Sequence, residues 1–87
     1  MEYSPRYPQP FTISQAVGLD VGMITEEIAR LQNSLAYLRS TQAQLKEVND
    51  ESPDPEFTKA MEENDDVIGS QEERISMLKI ALTEKGI

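Results

Sequence analysis

From Ile24 onward the apolar side chains return at alternating spacings of four and three, through Ile24, Ile28, Leu31, Leu35 and Leu38, then Gln42, then Leu45. Written as a heptad, Ile24, Leu31, Leu38 and Leu45 take position d, and Ile28, Leu35 and Gln42 take position a. Asp20 stands where an N-cap belongs, and neither proline nor glycine interrupts the chain from Met23 to Glu51. The spacing therefore predicts a first helix over about 21–49. A second run follows at the same spacing: Phe57, Met61, Asn64, Ile68, Gln71, Ile75, Leu78 and Leu82. It opens on Asp54-Pro55-Glu56, an N-cap followed by a proline at the first helical position and an acid at the positive end of the dipole. Gly86 sits where a C-terminal cap belongs, so the second helix is expected over about 55–85.

Only a short acidic turn, about 50–54, separates the two runs, too little chain to return to the far end of a long helix. The helices must lie antiparallel. The expected fold is all-α: an antiparallel two-helix coiled-coil hairpin over 20–87 with an extended proline-rich N-terminal arm over 1–19. In that register Leu45 meets Phe57 and Met61 at the tip, and Ile24 meets Leu78 and Leu82 at the base. Gln42, Asn64 and Gln71 hold seam positions that leucine would stabilise more, and Gln42 and Asn64 fall at similar height. They read as register-setting polar layers; the alternative is that these amides reach solvent at the edge of a thin seam.

Pro5, Pro8 and Pro10, with Tyr3, Tyr7 and Phe11 between them, keep the arm out of a helix. The arm is expected to be partly disordered, or a docking peptide whose aromatics seat on a partner or on the protein's own helices. Between Ile13 and Val21 the chain has room for one short helical turn. Outside the seam, Val67, Met77, Ile80 and Ala81 on the second helix and Met23, Ala29, Ala36, Tyr37 and Ala43 on the first supply more apolar surface than a two-stranded hairpin buries. The arm, a second copy of the chain or a client helix would have to cover it. Tyr37, Val67, Met77 and Ile80 are the candidate apolar contacts for a partner.

The chain has 87 residues, a size whose core rarely supplies more than roughly 3 to 5 kcal/mol by itself. Cysteine and histidine are both missing, which removes thiolate and imidazole metal sites and the commonest proton shuttle. No catalytic, cofactor-binding or metal-ligating residues stand out, and an enzyme is not expected. A calcium loop counted from Asp50 would place Pro55 where glycine is needed and Met61 where a bidentate glutamate is needed. The net charge of -8 opposes binding to nucleic acid or anionic lipid. No apolar run is long enough to span a bilayer and the N-terminus lacks a signal-peptide pattern, so the expected location is the cytoplasm, the nucleus being the alternative.

The charge is not spread evenly. Glu47, Asp50, Glu51, Asp54, Glu56, Glu62, Glu63, Asp65 and Asp66 face the single Lys59, so the segment 47–66 alone carries -8, the whole excess of the molecule. Glu47, Asp50 and Glu51 even crowd the C-terminal end of a helix, where the dipole prefers cations. The tip either keeps a sticky hairpin soluble or steers it toward a basic partner surface, with Glu47, Asp50, Glu51, Asp54, Glu62 and Glu63 as the candidate contacts.

The run "EEIARLQNSLAYLRSTQAQL", Glu26 to Leu45, followed by "EENDDVIGSQEERISMLK", Glu62 to Lys79, resembles the fungal translation-machinery-associated family, also described as the ATPase-dedicated chaperone family of proteasome assembly. Its anchor points here are Asn33, Ser34, Leu38, Glu63, Asn64, Glu73, Arg74 and Leu78. The resemblance implies a stress-linked assembly chaperone that binds an ATPase subunit of the proteasome regulatory particle and promotes its pairing with a neighbouring ATPase subunit. The residues leave two rivals: a structural coiled-coil subunit or homodimerising adaptor, and a prefoldin-like chaperone subunit. The second would need β-hairpins between its helices, which "NDESPDPE" is too short and too proline-rich to supply.

Overall fold

Ser52, Pro53 and Asp54 form the whole connection between two helices of 31 and 30 residues, α2 (Val21–Glu51) and α3 (Pro55–Glu84). The computed structural model describes residues 3–87, so Met1 and Glu2 of the arm lie outside the described residues. A short helix, α1 (Ile13–Val17), precedes the hairpin, and the described residues contain no strand. The fold is all-α, and its two long helices pack into a rod of 50 × 23 × 15 Å.

The turn is built from caps. Ser52 N–H donates to the Val48 carbonyl at 2.9 Å and ends α2. Asp54 N–H donates to Asn49 Oδ1 at 2.9 Å, while the Asp54 carboxylate accepts from Glu56 N–H at 2.8 Å and starts α3. Pro55 then stands at the start of α3, where a missing N–H costs nothing. At the other end Gly86 adopts φ 85°, the left-handed conformation that glycine takes without a Cβ clash.

Polar groups bridge the two helices across the seam. Gln42 Nε2 donates to the Met61 carbonyl at 2.9 Å and to Asp65 Oδ1 at 2.8 Å, while Asn64 Nδ2 donates back to Gln42 Oε1 at 3.1 Å. Three residues toward the base, Arg39 Nη2 pairs with Glu72 Oε1 at 3.1 Å. A slip of the seam would break all of these together. Gln71 behaves differently, for its Oε1 is buried and has no hydrogen-bond partner among the described residues.

The hairpin has a third layer at its base. Thr12 and Gln15 form a reciprocal capping box, Gln15 N–H to Thr12 Oγ1 at 3.1 Å and Thr12 N–H to Gln15 Oε1 at 2.9 Å, which starts α1. Lys85 Nζ donates to the Val17 carbonyl at 2.7 Å and ties the end of α1 to the end of α3. Ala16 thereby joins Ile24, Leu31, Leu35, Ile75, Leu78 and Ala81 in one buried cluster, with Phe11, Val17 and Leu19 packed around it. Among the described residues, all the fully buried ones lie in this base, and none lies between residues 36 and 74. Leu38, Leu45, Phe57 and Met61 in the outer half are only partly buried, because two helices meeting on one seam leave its sides open.

Burial predicts an uneven response to truncation. Leu31→Ala, at a fully buried position, is expected to cost about 2 to 5 kcal/mol in urea unfolding. Leu45→Ala should cost roughly 1 to 2 kcal/mol. Equal losses at the two sites would contradict the division of the rod into a dense base and an open tip.

Candidate protein-binding surface

Much of the surface chemistry of α3 is taken up by the protein's own arm. The Glu73 carboxylate accepts from Arg6 N–H at 2.8 Å, Tyr7 N–H at 3.0 Å, Gln9 Nε2 at 3.1 Å and the Tyr3 hydroxyl at 3.2 Å. Gln9 also donates to the Ser70 carbonyl at 3.0 Å and accepts from Arg74 Nε at 2.8 Å. Prolines make this mode of binding natural: an arm that cannot become helix keeps its backbone N–H groups free to donate outward. The Arg6 N–H first, then the Tyr7 N–H, the Gln9 side-chain amide and the Tyr3 hydroxyl, hold the Glu73 carboxyl at about 2 against the ordinary 4.5, with desolvation opposing them.

Gly69 completes the seat. A Cβ at this position would lie 2.6 Å from Tyr7 Cζ, so the Tyr7 ring rests where any other residue would put its side chain. A glycine inside a helix costs about 1 kcal/mol relative to alanine, and close approach of the ring is what this one permits. Met77 lies one turn beyond Glu73 on the same flank of α3 and is fully buried. As a contact for an outside partner Met77 must therefore be withdrawn: the third layer removes its side chain from the surface.

The other candidate apolar contacts are exposed. Tyr37 is 75% exposed, Val67 43% and Ile80 38%. In the heptad numbering Tyr37 is c on α2 and Val67 is g on α3, positions on the flank opposite the Arg39–Glu72 pair, and the register sets them within about one turn of each other. Val48, a g residue of α2 that is 46% exposed, extends this flank toward the tip. Ile80 lies on the back of α3, thirteen residues or about 20 Å further along the axis, and does not join them.

The acidic tip divides in the same way. Asp54 is committed to capping α3, and Asp50 pairs with Lys46 Nζ at 2.8 Å. Asp65, not among the candidate contacts, is held by Gln42. Glu47, Glu51, Glu62 and Glu63 are exposed and take part in no ion pair among the described residues. An open concavity of about 440 Å³ lies beside the turn, between Asn49, Pro53, Pro55, Thr58 and Glu62. The free charge thus surrounds the turn, and the exposed Tyr37–Val67–Val48 flank runs up to it.

Two measurements check the arm seat. Because the folded-state pKa of Glu73 is depressed from 4.5 to about 2, the seat is at full strength above pH 4.5 and is lost as pH falls through about 2. Amide shifts of Arg6 and Tyr7 should report that titration, and Glu73→Gln should abolish it. Gly69→Ala should remove hydrogen-exchange protection at Arg6 and Tyr7 while leaving the Leu31 and Leu78 amides protected. Unchanged protection in the arm would show that Tyr7 does not need the glycine.

Glu73 and Arg74, two anchor points of the family resemblance, hold the arm, and Asn64, a third, donates across the seam to Gln42. No curated protein and no solved structure matches the chain. The family model of the TMA17 helical domain, however, matches residues 10–87, from the end of the arm through α1, α2 and α3. The residues that seat on Glu73, Tyr3 to Gln9, fall just before it. With nearly the whole sequence and all three helices inside that match, the chain belongs to the TMA17 helical-domain family.

Proposed function

We propose that this protein is a non-enzymatic assembly chaperone, present in the cytoplasm, that binds an ATPase subunit of the proteasome regulatory particle and promotes its pairing with a neighbouring ATPase subunit. Membership of the TMA17 helical-domain family over residues 10–87 is the observation that carries the reading. The surface supports a protein partner. Tyr37 and Val67 offer apolar area and an aromatic anchor, the residue types that dominate interface energies. Unpaired acids at Glu47, Glu51, Glu62 and Glu63 lie at the end of the same rod and would steer a basic surface toward it, acting on encounter rate more than on final affinity.

Immobilised full-length chain tested against each purified regulatory-particle ATPase subunit should retain one of them. Tyr37→Asp and Val67→Asp should each weaken that binding by about tenfold or more. Glu47→Lys, Glu51→Lys and Glu62→Lys together should slow association and flatten its salt dependence, with little change in the stability of the free protein. Retention of no ATPase subunit would overturn the reading.

A further inference from the structure

Beside the seated arm lies a notch of about 340 Å³ whose walls are Tyr7 and Pro8 from the arm and Asp66, Val67 and Arg74 from α3. Gln71 lines it from the seam side. Three observations describe what would fit. Val67 is an apolar wall that the helix seam does not cover. Gln71 Oε1 is a buried acceptor without a donor among the described residues, a condition that a donor arriving from outside would relieve. The neighbouring guanidinium does not supply it, since Arg74 Nε is committed to Gln9 Oε1 at 2.8 Å and its Nη2 to Ser70 Oγ at 3.4 Å.

Charge selects among possible donors. Asp66 stands on the rim and is the last carboxylate of the segment 47–66, which carries the entire excess of -8. Arg74 in the same lining is engaged by Gln9 and Ser70, whereas the Asp66 carboxylate has no partner among the described residues, so a cationic side chain is drawn to the Asp66 rim of the notch. The Tyr7 ring and the Pro8 ring add flat walls, which suit a planar guanidinium on an aliphatic stem better than a compact, strongly hydrated ammonium.

We propose that the notch receives an arginine side chain of a partner protein, its stem on Val67 and Pro8, its guanidinium over Tyr7, and its N–H groups donating to Gln71 Oε1 and the Asp66 carboxylate. This names the side chain that the partner presents, and so it rests on the protein-binding reading above. The arm is then part of the binding surface: Glu73, by holding Arg6 and Tyr7, builds one wall of the notch.

The test is a titration of the isotopically labelled full chain, at constant ionic strength, with the peptide acetyl-Leu-Arg-Leu-amide and with its lysine and norleucine counterparts. The arginine peptide should give saturable shifts at Tyr7, Val67 and the Gln71 side-chain amide, the lysine peptide weaker ones, and the norleucine peptide none. Gln71→Leu, which places leucine at a seam position and should fold well, and Asp66→Asn should each weaken the arginine peptide by about tenfold. Absence of saturable shifts, an equal response to norleucine, or indifference to both substitutions would overturn the proposal. An ATPase subunit that binds wild-type chain and Gln71→Leu equally would overturn the notch and leave the chaperone reading standing. Saturable arginine binding with no ATPase subunit retained would do the reverse.

Discussion

Two helices that meet along a single stripe of heptad residues shield only that stripe, and each helix keeps a flank open to water. This constraint organises the whole molecule. At the base the open flank is closed by α1 and the arm, and there the fully buried residues collect, from Ala16 and Ile24 to Leu78 and Ala81. Further out the described residues add no third layer over the seam, and Leu38 and Leu45 remain partly wet. The gradient from dense base to open tip follows both the number of layers around the seam and the place of its polar residues: Gln42, Asn64 and Gln71 all stand outside the base, while Leu38, Leu45, Phe57 and Met61 are apolar and still only partly buried.

The arm closes the base by a different chemistry from the one that zips the helices. Apolar contact supplies the packing of Phe11, Ala16 and Val17. Nearer the terminus the chain is held mainly by one carboxylate, Glu73, collecting donors from an extended backbone and from Gln9 and Tyr3. Such an attachment is directional, whereas a hydrophobic face alone would tolerate sliding. It also brings Tyr7 and Pro8 beside Val67 and Gln71, so a segment lying before the TMA17 helical-domain match contributes to the surface that α3 presents.

The candidate surface was legible in part. Tyr37 and Val67 stand outside the a/d seam, and the structure leaves both exposed on one flank. Met77 stands outside the seam too, yet it is buried, because periodicity on one helix says nothing of what a distant segment lays over it. Glu73 and Arg74 read from composition as ordinary charged helix residues, and only the arm reveals their use. One local feature of α3 bears on it, Gly69 within an otherwise uninterrupted helix, where the Tyr7 ring comes to rest. Among the acids, charge count marked the tip, but geometry was needed to separate Asp50 and Asp54, which serve the protein's own helices, from Glu47, Glu51, Glu62 and Glu63.

By itself the sequence determined what local physics controls: the two helices, through four-three spacing and the absence of breakers; their start and stop, through Asp20, Asp54-Pro55 and Gly86; and their antiparallel pairing, through a turn too short for any other path. Tertiary structure alone decided which off-seam residues are covered and which polar groups are already spent. The physical reason is that burial and hydrogen bonding between Tyr7 and Gly69, or between Arg6 and Glu73, join residues more than sixty positions apart. No periodicity within a single helix carries that information, because it depends on where an extended, proline-rich arm comes to rest.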